Sequence, residues 1–191
     1  QTATTFLASF LGLILAAPAG AQVCATPGRD GTTTVAGTIN NVWPVSVNGT
    51  YGPATASLSL GTRRGAAINL AAGDLALVIQ MQCATITTTN SNAYGDGVAG
   101  DPASGFTEPG SCQAGRYQYV RAGPATSGTS LDLSGSALTG TFIQAAASNT
   151  LGRRTIQVVR VPQYQDATLS GTVTGVAWNG GSGGIVALDV A

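Results

Sequence analysis

The chain has 191 residues, enough for one domain with a sizeable hydrophobic core, and its eight arginines balance eight acidic residues. Because the chain carries no net charge, it offers no basic face to a phosphate backbone, and we expect no nucleic-acid partner. Histidine and lysine are absent, which excludes a Ser-His-Asp triad, histidine metal ligands and Schiff-base chemistry. The composition therefore favours a protein that is not an enzyme.

An uncharged apolar run of twelve residues lies near the N-terminus, at positions 6–17. It is too short to cross about 30 Å of hydrocarbon comfortably. The small residues Ala19, Gly20 and Ala21 follow it, as before a signal-peptidase cleavage site. We predict that residues 1–21 are a secretory signal peptide and that residues 22–191 form a single domain without a membrane span. The alternative is a retained hydrophobic N-terminal segment, as in a pilin-like subunit.

Alternation of apolar and polar residues predicts strands along the remaining chain. The period of two is clearest over residues 75–83, where Leu77 and Ile79 should be buried. Gln80 lies on the opposite face, and Gln80→Ala should cost well under about 1 kcal/mol if that face is wet. A cost equal to that of Leu77→Ala would mean that both faces are covered. A second strand is expected at Thr155–Val161, which ends before a proline. Further strands are predicted at 34–39, 57–60, 116–119, 129–133, 141–144, 168–176 and 185–190. Residues 66–72 could form at most one or two helical turns.

These eight or nine short strands, with no helices between them, predict an all-β domain, and a β-sandwich is the favoured architecture. A solenoid is disfavoured because no segment repeats at a fixed period. The longest stretch without a pattern is residues 87–113, which is rich in Asn, Gly, Asp and Pro. A loop of this length in a compact domain is usually functional, tethered or mobile.

The cysteine count is odd after the predicted cleavage, with Cys24, Cys83 and Cys112 remaining. Secretion places these thiols in an oxidising compartment, where two of them should pair. We predict a disulfide between Cys83 and Cys112, because it would staple the long loop between them and leave Cys24 free. The rival pairings join Cys24 to Cys83 or to Cys112.

Six stretches of the chain carry a resemblance to a known family. They are 23–31 (VCATPGRDG), 72–75 (AGDL), 78–82 (VIQMQ), 159–164 (VRVPQY), 177–180 (AWNG) and 183–190 (GGIVALDV). Together they resemble long secreted proteins of Gram-negative bacteria, in which a module of this kind precedes glycine-rich segments and repeated immunoglobulin-like domains of uncharacterised function. The resemblance implies a non-enzymatic, structural or adhesive role at the cell surface or outside the cell, and it supplies no catalytic residues. Family members continue beyond the point where this chain stops, so the resemblance also implies a fragment.

Carboxylates are the strongest candidates for a catalytic site, since glycoside hydrolysis requires two of them in facing positions. The candidates are Asp74, Glu108, Asp132 and Asp189, and no spacing between them indicates such a pair. We expect them to be turn and cap residues instead. Arg116 and Arg160 should likewise pair with aspartates or backbone carbonyls rather than bind a substrate.

A calcium site is the one cofactor site that the sequence suggests. Asn90, Asn92, Asp96 and Asp101 would supply the hard oxygen ligands that Ca²⁺ prefers. The segment lacks the closing Glu and the regular spacing of an EF-hand. The alternative is a turn in which the Asn and Asp side chains bond to their own backbone.

Aromatic residues could form a platform on which sugars stack, although in a glycine-rich domain they more often supply the bulk of the core. Three hypotheses of function therefore remain. They are a structural or adhesive surface module, a calcium- or glycan-binding module, and a subunit of an extracellular filament. The partner would be another surface or extracellular protein, a second copy of the chain, or a glycan. The aromatic candidates are Trp43, Tyr51, Tyr94, Tyr117, Tyr119 and Trp178.

Overall fold

The computed structural model describes residues 26–83, 85–86, 107–108, 112–148 and 152–191. Over these residues the chain forms strands, turns and extended segments without a helix, which confirms the all-β fold class. The strands are β1 (Thr32–Thr38), β2 (Asn41–Pro44), β3 (Gly49–Tyr51), β4 (Ser57–Ser59), β5 (Arg64–Gly65), β6 (Leu75–Gln82), β7 (Thr85–Ile86), β8 (Thr107–Glu108), β9 (Tyr117–Arg121), β10 (Ser130–Asp132), β11 (Phe142–Gln144), β12 (Thr155–Val161), β13 (Gln163–Tyr164), β14 (Asp166–Thr174) and β15 (Asp189–Val190).

The long strands agree with the sequence pattern, and β12 has the predicted bounds. One expectation was wrong, since the predicted strand at 185–190 is a strand only at its last two residues. Residues 66–72 contain no helical turn, which lies within the predicted limit. No helix of the described residues is long and apolar enough to cross a membrane.

Five strands form the central sheet in the order β5-β2-β12-β6-β9, and every neighbouring pair is antiparallel. The middle strand β12 is buried at all seven positions. Its register places Val159 between Val42 and Leu77, and Val158 between Trp43 and Val78. Opposite residues in antiparallel strands share a face. Val158 and Val159 therefore lie on opposite faces of the sheet and belong to two different hydrophobic cores.

The larger core covers the face that carries Trp43 and Val158, and β4, β10 and β11 close it with Leu58, Leu131 and Phe142. These three strands belong to two-stranded antiparallel sheets, β3 with β11 and β4 with β10. Each buries only one or two large side chains, which is why such short strands carry little periodic signal in the sequence.

The smaller core covers the opposite face of the central sheet. Leu77 and Val159 lie within it, and the extended C-terminal segment packs Ile185 and Ala187 against it. Leu77 is therefore buried as predicted, whereas the expectation for Ile79 was wrong: this residue is only partly buried, because it lies opposite the exposed Tyr117. Gln80, on the opposite face, is only 1% exposed, so of the two alternatives the structure shows the one in which both faces of the sheet are covered.

The remaining described strands form three further two-stranded sheets. β1 pairs with β14 in a parallel ribbon, β13 pairs with β15 in parallel, and β7 pairs with β8 in antiparallel. Most side chains of β1 and β14 are exposed. The strands are thus spread over one large and five small sheets, and the sandwich arrangement stays a prediction.

Candidate functional site

Four charged side chains meet where β6 begins and β12 ends. Arg160 Nε lies 2.9 Å from Asp74 Oδ2, and Arg160 Nη2 lies 2.5 Å from Asp30 Oδ1. Arg29 Nε approaches the second oxygen of Asp74 at 3.1 Å. We call these four residues the ion-pair network. It ties the turn before β1 to the central sheet.

Backbone groups complete the coordination of both carboxylates in the network. The amide of Ala71 donates to Asp74 Oδ2 at 2.8 Å, and the amide of Gln163 donates to Asp30 Oδ2 at 2.7 Å. Burial lowers the pKa of Arg160, but hydrogen bonds and charge from Asp74 and Asp30 outweigh it and raise the pKa above its usual value. The guanidinium is therefore held in its charged form, as expected for a structural ion pair.

The other carboxylates singled out in the sequence serve turns where the structure describes them. Asp132 accepts hydrogen bonds from the amides of Ser134 at 2.8 Å and Ala125 at 2.9 Å, and these bonds lower its pKa. Asp189 lies in β15, and Glu108 lies in β8, where only the backbone is described. The turn-and-cap interpretation holds for Asp132, while Asp74 combines a turn with two ion pairs.

The predicted calcium ligands Asn90, Asn92, Asp96 and Asp101 lie outside the described residues, so that site stays a prediction. The same is true of the predicted signal peptide and of Cys24. Among the residues that the structure does describe, no group of three His, Cys, Asp or Glu side chains is placed to hold a metal ion.

A disulfide joins Cys83, directly after β6, to Cys112, shortly before β9. Their Cα atoms are 5.7 Å apart, within the usual range for a disulfide. The pairing expected from the sequence is therefore present. It connects two neighbouring strands of the central sheet, since β6 and β9 are paired along their whole common length.

The six candidate aromatic residues do not form one platform. Trp43 is fully buried in the larger core and Tyr51 packs against that core, whereas Tyr94 lies outside the described residues. Tyr117 and Tyr119 are 61% and 40% exposed. Their ring centroids are 5.9 Å apart and the ring planes are nearly perpendicular, at 79°. The rings therefore form an edge-to-face pair rather than a flat stacking surface.

Arg121 continues this row, because alternate residues of a strand share a face. We call Tyr117, Tyr119 and Arg121 the tyrosine edge. All three side chains are exposed. Tyr117 lies opposite Ile79 and Tyr119 opposite Leu77 in the register with β6. The tyrosine edge is thus the exposed margin of the face that carries the smaller core.

Two of the shallow depressions in the described surface lie beside arginine side chains. The larger has a volume of about 480 Å³ and is lined partly by Arg29, Gly73 and Arg121. The smaller has a volume of about 230 Å³ and includes Pro44 and Arg153. In the larger depression the guanidinium of Arg29 is already engaged in hydrogen bonds. Its Nε donates to Asp74 and its Nη2 donates to the backbone carbonyl of Ala72.

Comparison with known proteins identifies no relative of the chain. No family model, no curated protein and no solved structure matches it. Function is therefore argued below from the chain's own residues and contacts.

Proposed function

We propose that the chain is a non-enzymatic structural or adhesive module of a protein that lies outside the cell or at the surface of a Gram-negative bacterium. The disulfide between Cys83 and Cys112 is the observation that carries this proposal. Disulfides persist in oxidising compartments and are rare in the cytosol. The predicted signal peptide at residues 1–21 points to the same compartment.

The contacts of the buried aspartates support a structural role for the charged residues. Asp74 is 3% exposed and is engaged by two guanidinium groups and one backbone amide. Asp30 bonds to Arg160 and to the Gln163 amide. A general acid or base must reach a substrate and exchange a proton with it. These carboxylates instead hold distant segments of the chain together.

The stretches on which the resemblance rests lie close together in the fold. Stretch 23–31 contributes Arg29 and Asp30, 72–75 contributes Asp74, and 159–164 contributes Arg160. Stretch 183–190 reaches the same end of the sheet through the pairing of β15 with β13. Residues far apart in the sequence therefore build one structural unit, as expected for a structural module.

The location can be tested on cells that make the full protein. We expect protease added to intact cells to degrade it, Cys83 and Cys112 to resist thiol labelling, and mass spectrometry to find an N-terminus at Gln22. A protein that is protected in intact cells and has both thiols reactive would overturn the proposal. The matched control is a Cys83→Ser/Cys112→Ser variant, whose location should be unchanged if export precedes oxidation.

Three further readouts distinguish the alternative functions that the sequence suggests. Retention of residues 1–21 in the mature protein would favour a filament subunit built on the hydrophobic segment. A thermal melting temperature that falls when EDTA is added would favour the calcium-binding module, because a ligand that binds only the folded state raises its stability. Binding of oligosaccharides by the wild type, lost in Tyr117→Ala, would favour the glycan-binding module.

A further inference from the structure

The guanidinium of Arg121 lies exposed at the end of β9 and has no hydrogen-bond or ion-pair partner among the described residues. Other arginines of the chain are held in place. Arg160 bonds to Asp74 and Asp30, and Arg64 donates to backbone carbonyls. A guanidinium carries five N–H donors in a planar fork and keeps its charge at physiological pH. Arg121 therefore has a full set of donors available to a ligand.

Arg121 and Arg29 line the same depression, which has a volume of about 480 Å³. Nε and Nη2 of Arg29 bond to Asp74 and Ala72, but its Nη1 has no partner in the part of the chain that the structure describes. Nη1 lies 2.6 Å from the position that a Cβ on Gly73 would take, and Gly73 also lines the depression. The glycine thus leaves room for this nitrogen at the wall of the depression. Two guanidinium groups therefore reach one concave surface.

None of the described residues that line this depression is acidic. The carboxylates behind its wall are already bonded to donors of the chain. Asp74 is engaged by two guanidinium groups and one backbone amide. Asp132, whose Oδ2 lies 2.5 Å from the position of a Cβ on Gly123, accepts hydrogen bonds from two backbone amides and a hydroxyl. The donors that remain free at this surface are therefore cationic, and an anion could bind them without displacing an existing contact.

We propose that this depression binds the carboxylate of an acidic saccharide, such as a uronic acid unit of a surface polysaccharide. Arg121 is the main contact, and Nη1 of Arg29 supplies a further donor. The planar fork of a guanidinium matches the two oxygens of a carboxylate and binds them in a bidentate, charge-assisted pair. The volume of the depression falls within the range of about 300–1,000 Å³ that small-ligand sites occupy, and it suits one sugar unit.

The tyrosine edge favours a saccharide over an acidic peptide as the source of the carboxylate. Tyr119 lies two positions before Arg121 on the same face of β9, about 7 Å away along the strand, and it is 40% exposed. Its edge-to-face pair with Tyr117 leaves at least one face of the Tyr119 ring uncovered by the other ring. The ring face is electronegative and attracts the C–H groups of a pyranose ring. A carboxylate side chain of a peptide offers no comparable surface.

The inference deepens the proposed function, because it rests on the adhesive role and names the class of ligand. A shallow site with one full guanidinium fork and one further donor should bind weakly, with a Kd on the order of 1 mM. The probe is the trimer of galacturonic acid, added to the isotopically labelled full chain and followed by NMR of the backbone amides. We expect chemical-shift changes that saturate with ligand and that centre on Gly73, Arg121 and Gly123.

Two further probes identify the ligand class. The methyl ester of the same trimer keeps the sugar rings and loses the charge, so it should bind at least about tenfold more weakly. Tri-glutamate keeps the carboxylates and lacks the sugar rings, so it should bind at least about threefold more weakly than the trimer.

Three variants identify the residues. Arg121→Gln should weaken binding of the trimer at least about tenfold, and Tyr119→Leu about threefold to tenfold. Arg153→Gln is the matched control, because Arg153 is also exposed and its replacement removes the same charge at the smaller depression. It should bind the trimer like the wild type. Thermal melts that match the wild type show that each variant is folded.

The site is overturned if the wild type shows no saturable shifts well above the expected Kd, if binding survives Arg121→Gln, or if Arg153→Gln loses it equally. Equal binding of the trimer and of either further probe, or an unchanged affinity in Tyr119→Leu, overturns the assignment to an acidic saccharide. These measurements use the purified chain, so their failure leaves the proposed surface location untouched. Protection from protease in intact cells, in turn, would overturn the location and not the binding.

Discussion

The guanidinium of Arg160 donates two hydrogen bonds to the carboxylate of Asp74, with 2.9 Å from Nε to Oδ2 and 3.3 Å from Nη2 to Oδ1. Both side chains are more than nine-tenths buried. Desolvation of two charges is costly, and an ion pair offsets that cost only when its geometry is good and its remaining hydrogen-bonding groups are satisfied. Here Asp30, Arg29 and the Ala71 amide satisfy them.

Removal of one charge should therefore destabilise the fold strongly. We expect Arg160→Met to lower the free energy of unfolding by about 3–5 kcal/mol, because it leaves Asp74 buried without its main counter-ion. Urea denaturation measures the change. Arg153→Met is the matched control, since Arg153 is exposed and should change the free energy by less than about 0.5 kcal/mol.

A double-mutant cycle with Asp74→Leu separates the ion pair from simple loss of packing. If the two residues act on each other, the double variant should be less destabilised than the sum of the single variants. Strict additivity of the two single effects would contradict the role assigned to the pair.

The ion-pair network shows where sequence patterns stop being informative. Asp74 and Arg160 stand out individually, but Arg160 and Asp30 are 130 positions apart, and no local pattern indicates that they meet. β6 and β12 were predictable because their apolar patterns reflect burial along one strand. Contacts between distant charged residues follow from the topology of the whole sheet.

The C-terminal segment illustrates a different limit. Its alternation predicted a strand, yet Ala187 bonds to the side chain of Asn40 rather than to a neighbouring strand, with 3.0 Å from the Ala187 amide to Asn40 Oδ1. Asn40 Nδ2 in turn donates to the Ala187 carbonyl at 2.6 Å. An amide side chain thus replaces the backbone partner, and a periodic pattern cannot distinguish the two.

Gln80 should be important for stability, contrary to what its polar character suggests. Its Nε2 donates to the carbonyls of Ile143 and Thr155, and its Oε1 accepts from the Ile143 amide at 2.8 Å. Gln80→Ala would leave these buried groups unpaired, so we expect the free energy of unfolding to fall by about 1–3 kcal/mol. Leu77→Ala should cost about 2–5 kcal/mol through the cavity it creates.

Chemical denaturation of the two variants, compared with Gln113→Ala, tests this prediction. Gln113 is exposed, and its replacement should change the free energy by less than about 0.5 kcal/mol. If Gln80→Ala changed the free energy of unfolding as little as Gln113→Ala, the face of β6 that carries Gln80 would be exposed to solvent.

Asp132 should make stability depend on acidic pH. Hydrogen bonds from the amides of Ser134 and Ala125 lower its pKa below the ordinary value of 3.8 in the folded protein. A lowered pKa contributes stability above the unfolded value, and that contribution is lost as the pH falls through the folded value. Asp132→Asn should therefore lower the melting temperature at neutral pH, and the difference from the wild type should shrink below pH 3.8. A difference that stays constant with pH would contradict it.

The disulfide should contribute stability by restricting the unfolded chain. Cys83 and Cys112 are 29 positions apart, and closing a loop of this size is worth about 3–4 kcal/mol in the chain-entropy model. We expect Cys83→Ser/Cys112→Ser to lower the free energy of unfolding by this amount while the far-ultraviolet circular dichroism of the sheet is retained. Reductant should destabilise the wild type and leave the double variant unchanged. Cys24→Ser provides the control, and an equal loss of stability in that variant would mean that Cys24 takes part in the bridge.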